Sequence, residues 1–126
     1  MLEGDFFTIN SIHTEEKSVT ATLELNPAHP IFDGHFPGQP VVPGVCMMQM
    51  VKEILETAIN RETMLVQADY LKFLSLINPV ENKIIQAELK YDSIGNSKIN
   101  VVASLFHAST TFLKLKALFI RTYSEP

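Results

Sequence analysis

The chain has no tryptophan, one cysteine, and only ten lysines and arginines among its 126 residues. The lone Cys46 excludes an internal disulfide framework and a cysteine-based metal cluster, and it points to a reducing compartment. Ten cations face 14 carboxylates, for a net charge of −4, and they form no basic cluster. Nucleic acid is therefore not an expected partner, because its phosphates demand lysine and arginine density. No apolar run approaches the length needed to span a bilayer. The opening Met-Leu-Glu-Gly-Asp lacks the basic flank and apolar stretch of a secretory signal. These absences lead to the expectation of a soluble, cytoplasmic protein. Repeats, low-complexity tracts and linkers are also missing. What is present is a 46% hydrophobic chain of single-domain length, enough for a real core.

Glycine and proline are few but unevenly placed. Five of the seven prolines and three of the five glycines fall between Asn26 and Gly44. Proline restricts φ and glycine frees it, so this stretch is expected to be a stiff, irregular loop. Its centre is His35, flanked by Gly34 and by Phe36-Pro37-Gly38. Directly after it, Pro43-Gly44 opens a predicted helix running to about Ile59 or Asn60, with proline suited to a helix start. The first half of that helix (Val45, Cys46, Met47, Met48, Met50, Val51) is apolar on every side except for Gln49. Such a segment is expected to be buried all round, as the centre of the fold. The second half is amphipathic.

Most of the remainder alternates with a period of two. Val19, Ala21, Leu23 and Leu25 interleave with polar residues, as do Ile85, Ala87, Leu89 and Tyr91. A first strand is expected over about Asp5 to Ile12, a long apolar one from Met64 to about Leu76, and two more over Ile99–Phe106 and Phe112–Tyr123. Ile94-Gly95-Asn96-Ser97 reads as a turn. One long buried helix with five or six antiparallel strands implies an α+β fold, a sheet wrapped around the helix.

The run Gly34-His-Phe-Pro-Gly-Gln-Pro-Val-Val-Pro-Gly-Val45 resembles the signature of the β-hydroxyacyl-acyl-carrier-protein dehydratases. The stretch Ala68-Asp-Tyr-Leu-Lys-Phe, closing at Asn78-Pro79, is similar to that family's strand after the helix. The resemblance implies a hotdog fold, a curved antiparallel sheet around one long helix, covering residues 1–126 as one domain. It implies dehydration of 3-hydroxyacyl thioesters on acyl carrier protein to trans-2-enoyl thioesters, with no cofactor and no metal. The pathway would be fatty-acid, polyketide or aryl-polyene synthesis. It also implies a homodimer whose sites draw residues from both subunits, with a trimer of dimers as a larger assembly.

By the same resemblance, His35 is the general base that takes the proton beside the thioester carbonyl. An imidazole suits this because its ordinary pKa lies near neutrality. The N–H of Gly44, at the helix start, would stabilise the developing enolate oxygen. Phe36, Pro37, Gly38, Val45 and Met48 would line the substrate site. The blander alternatives are a histidine hydrogen-bonded within a tight loop and an ordinary helix start. Asp33 could orient the imidazole, although aspartate in such turns more often caps its own backbone. Cys46 reads as a core thiol rather than a nucleophile. His29 and Asp33 do not make a metal site.

The pattern departs from the family at one point. The related enzymes carry Glu or Asp fourteen residues after the histidine; here that residue is Gln49. The glutamine that commonly follows four residues later is here Glu53. The i,i+4 spacing keeps both on one helix face, roughly 6 Å apart along the axis. Three alternatives stay open. Glu53 supplies the acid from one turn away; Gln49 positions a water or hydroxyl while His35 acts as base and then acid; or dehydration is lost. In the last case the site binds a thioester without reaction or hydrolyses it, with Glu53 activating water. A solvated Glu53 beside Lys52 and Glu56 is the plain alternative to any role.

Overall fold

The computed structural model describes residues 1–36 and 38–122. Among the described residues, six strands and two helices follow one another in the order β1 (Phe7–Glu15), β2 (Ser18–Leu25), α1 (Ile31–Gly34), α2 (Gly44–Ile59), β3 (Thr63–Phe73), β4 (Ile84–Ile94), β5 (Lys98–His107) and β6 (Thr110–Arg121). The strands form one sheet in the order β1-β2-β4-β5-β6-β3. Every neighbouring pair is antiparallel. The long helix α2 packs on β2, β3 and β4. This is the α+β hotdog arrangement expected from the sequence.

Period-two patterning explains the strands. In β5, Ile99, Val101, Ala103 and Leu105 are buried, while Lys98, Asn100 and Val102 face solvent. Met50, Val51, Ile54 and Leu55 of α2, all fully buried, belong to the same hydrophobic core as this face. The helix begins where Pro43 holds extended backbone and ends at Asn60, in the left-handed conformation of a C-cap.

Four sequence expectations are corrected. The first strand starts at Phe7 rather than Asp5 and runs on to Glu15, because Ser11–Glu15 pair with Ser18–Thr22. The proline-rich loop contains one helical turn, α1, which buries Phe32. The strand after the helix stops at Phe73 rather than Leu76, where its pairing with β6 ends at Leu113. The first half of α2 is not buried all round. Val45 is 76% exposed and Met48 half-buried, because the single sheet covers only one side of the helix.

Beyond Thr63, every residue of β3 is exposed, including Met64, Leu65, Val66, Tyr70, Leu71 and Phe73. The strand pairs with β6 on one side and lies at the edge of the sheet. A long edge strand carrying so many apolar side chains is unusual for an isolated subunit.

Candidate active site

His35 follows α1 and lies half-buried. Its backbone is fixed from both sides: its N–H donates to the Phe32 carbonyl at 3.4 Å, and its carbonyl accepts the Val41 N–H at 2.9 Å. Phe36 and Gln39 exchange backbone hydrogen bonds of 3.2 and 3.0 Å, closing the tight turn in between. The turn uses Gly38 at φ +78°, a conformation that side chains disfavour. The imidazole stacks on the Phe36 ring, with centroids 4.5 Å apart. Its Nδ1 is buried and has no hydrogen-bond partner among the described residues. Asp33 is exposed and makes no hydrogen bond to it.

The loop then reaches the start of α2. Val42 donates to the Ile77 carbonyl at 2.9 Å, tying the loop to the segment after β3. The first bonds within the helix run from the Cys46 and Met47 N–H groups to the Pro43 carbonyl. The N–H groups of Gly44 and Val45 precede them, so the helix itself supplies them no acceptor. Phe73 covers Gly44 so closely that a β-carbon there would lie 2.7 Å from the ring. Gly44 therefore leaves room for the Phe73 ring in its observed place.

Farther along α2, Gln49 lines an apolar groove of about 190 Å³ with Val45, Met48, Lys52, Leu65 and Phe119. His35 does not line this groove. Glu53 lies one turn on, only 4% exposed. It is not a solvated residue. Its Oε2 accepts the Leu2 N–H and the Gln49 Nε2–H, each at 2.8 Å, and its Oε1 accepts the Glu3 N–H at 2.8 Å. The adjacent Lys52–Glu56 pair is separate, with Glu56 also holding Thr63.

The ApeI-like family model, described as ApeI dehydratase, matches residues 11–108. The chain belongs to the ApeI-like dehydratase family. It is 30% identical over 96 residues to a 3-hydroxyacyl-[acyl-carrier-protein] dehydratase FabZ of Wolbachia pipientis, covering 71% of this chain and 67% of that protein. A FabZ of Rickettsia africae is 32% identical over 79 residues, 56% of this chain and 54% of the relative. Among solved structures, the dehydratase heterocomplex ApeI:P of Xenorhabdus doucetiae superposes with a TM-score of 0.71 at 20% identity. That match covers 90% of this chain and 96% of the other. A putative thioesterase of Silicibacter superposes at 0.62 with 14% identity, covering 94% and 81%. At those identities the superpositions establish the hotdog fold, which carries more than one chemistry.

For this ApeI-like chain, the structure gathers Phe36, Gly38 and His35 in one turn, and Gly44 with Val45 at the helix start. Val45, Met48 and Gln49 line the groove along α2. Pro37 lies outside the described residues. Among the described residues, no cluster of His, Cys, Asp and Glu is arranged to hold a metal. His29, doubtful as a ligand from sequence, bonds Asp5 at 3.1 Å through Nε2 and accepts the Ile31 N–H on Nδ1. Phe73 was not singled out from sequence; an aromatic at the end of a strand gives no sign that it covers a glycine on a helix. A depression of about 620 Å³ lies on the outer face of the sheet among Tyr70, Glu88, Lys90, Lys114 and Lys116. His35 does not line it.

Proposed function

We propose that this protein dehydrates 3-hydroxyacyl thioesters carried by acyl carrier protein to trans-2-enoyl thioesters. One observation carries the reading: a half-buried histidine is fixed in the turn that leads into a helix whose first N–H groups the helix leaves unbonded. The thioester oxygen would receive the Gly44 N–H, where the helix dipole favours negative charge. His35 would take the C2 proton through one ring nitrogen. The bond between C3 and its hydroxyl then breaks, and the hydroxyl leaves as water with the proton returned by the imidazolium. Gln49 would hold the 3-hydroxyl for departure. This assigns base and acid to one residue in succession and leaves Glu53 out of proton transfer.

The assignment requires a dimer, because the groove that displays Gln49 is not lined by the same chain's His35. The exposed apolar edge of β3 borders that groove at Leu65 and supports pairing with a second copy through this strand. His35 of one copy would then meet Gln49 of the other. Val45 and Met48, with Phe36, would line the acyl path.

The test is product analysis with a 3-hydroxyacyl thioester on acyl carrier protein. Enoyl thioester from the wild type, and none from His35→Ala, is the expected result. Free acid would indicate a hydrolase on the same fold, and binding without product would indicate a thioester-binding protein. Either would overturn the proposal.

A further inference from the structure

Glu53 cannot be understood from the helix alone, because two of its three side-chain hydrogen-bond donors among the described residues come from about 50 residues away in sequence. They are the backbone N–H groups of Leu2 and Glu3. The opening segment curls tightly to present them. Gly4 sits at φ +93°, its N–H donates to the Phe7 carbonyl at 2.7 Å, and the Phe6 N–H donates to the Leu2 carbonyl at 2.8 Å. Phe6 and Phe7 are buried, which anchors the curl in the core. The third donor is the Gln49 amide.

A carboxylate offers only acceptors, and backbone N–H groups can only donate. Gln49 can therefore approach Glu53 in one orientation only, with its NH₂ group toward the carboxylate. The amide oxygen is then directed away from Glu53. Oε1 accepts no hydrogen bond from the described residues, and the Gln49 side chain lines the apolar groove. Glu53 thus engages the donor end of the amide and leaves its acceptor oxygen free of the carboxylate.

We propose that Glu53 is a positioning residue, clasped by the Leu2–Glu3 backbone, that locks the Gln49 amide with its oxygen toward the acyl groove. The inference deepens the dehydratase reading above and rests on it for its consequence, the capture of a donating 3-hydroxyl. The locked amide itself is independent of that reading. Gln49 and Glu53 reverse the Glu…Gln order of the resembling enzymes.

Two measurements test this. The first needs no turnover. The Gln49 side-chain amide is assigned by NMR through its loss in Gln49→Glu. In the wild type its NH₂ protons should be slowed in exchange and well separated in shift. In Glu53→Gln they should lose that protection, since one amide oxygen cannot serve three donors. An unprotected Gln49 NH₂ in the wild type, or no change in the variant, overturns the lock.

The second is kinetic, at a temperature where every variant remains folded by circular dichroism. Glu53→Gln should lower kcat about tenfold or more with KM changed less than about threefold, since positioning acts on the reacting geometry. The double variant Gln49→Glu/Glu53→Gln places a carboxylate toward the groove, held by an amide. Its kcat should exceed that of Glu53→Gln at least severalfold. A Glu53→Gln enzyme with wild-type kcat, or a double variant no better than the single one, overturns the positioning role. A wild type that forms no enoyl thioester overturns the dehydratase reading and the role in turnover that rests on it. The NMR result then still decides the lock by itself.

Discussion

The Phe73 ring occupies the space beside Gly44 into which a β-carbon would project, at 2.7 Å from Cζ and 3.1 Å from Cε1. The contact joins the last residue of β3 to the first residue of α2, where the proposed oxyanion donor lies. Phe73 is half exposed, so its ring can be pushed outward. Gly44→Ala is therefore expected to gain up to about 1 kcal/mol of helix propensity and to offset it by displacing the ring. Thermal stability should change little while kcat falls roughly tenfold or more, because the thioester site shifts. The Phe73→Ala/Gly44→Ala double variant should lose less activity than the two single effects added. Additive losses in a double-mutant cycle would show that the ring and the glycine act independently.

A charge on the free edge of β3 should separate the subunits of the proposed dimer. Val66 is 51% exposed on that strand, so Val66→Glu is expected to leave the monomer folded. In a symmetric pairing each new carboxylate enters the apolar contact together with its symmetry mate, and like charges there oppose association. Light scattering should show a shift from dimer to monomer with loss of activity. A fully active dimer would place the interface elsewhere.

Core and groove positions on α2 should respond differently to truncation. Ile54 is fully buried, so Ile54→Ala should cost about 2–5 kcal/mol in chemical denaturation. Val45 is largely exposed in the single subunit, and Val45→Ala should change monomer stability by less than about 0.5 kcal/mol. Its effect should appear in KM for long acyl chains.

Burial pushes the Cys46 thiol up from its ordinary pKa, and its side chain is only 6% exposed. Less thiolate is present at any mildly alkaline pH than in an unfolded peptide, and access is restricted. Alkylation by iodoacetamide at pH 8 should be much slower in the folded protein than in urea. Equal rates would mean that the start of α2 opens readily.

Docking of a carrier should depend on salt. Acyl carrier protein is strongly acidic, and this chain carries a net charge of −4, so attraction requires local basic groups. Lys83 pairs with Glu24, and Arg121 donates to the Asn96 carbonyl and the Ser93 hydroxyl. Lys72 remains exposed over the Tyr70 ring and lies opposite Lys114 in the β3–β6 register. KM for carrier-bound substrate should rise with ionic strength, and Lys72→Glu/Lys114→Glu should raise it further at low salt. A short pantetheine thioester should be indifferent to both. A carrier KM without salt dependence would remove the electrostatic docking idea.

Much of this architecture was legible locally. Pro43-Gly44 ahead of an apolar run marks the start of α2, and the alternation of Val19 to Leu25 and Ile85 to Leu89 marks β2 and β4. These signals read correctly because helix starts and half-buried strands are dictated by neighbouring residues. The turn around His35 was equally plain, since glycine and proline constrain their own backbone wherever they occur.

What tertiary structure decided depends on residues distant in sequence. Glu53 stands beside Lys52 and close to Glu56 and looks solvated; it is buried because the Leu2–Glu3 backbone returns to meet it. The orientation of Gln49 follows from that encounter, and nothing within four residues of it could reveal the carboxylate's other partners. β3 reads as a long apolar strand, and its place at the edge of the sheet leaves those apolar residues exposed. Periodicity reports which residues avoid water; it does not report whether the covering surface belongs to the same chain. Local sequence determined the elements and the histidine turn, because short-range sterics and patterning act there. The clasp on Glu53, the ring over Gly44 and the open edge of β3 arose only when distant backbone and side chains were brought together by packing.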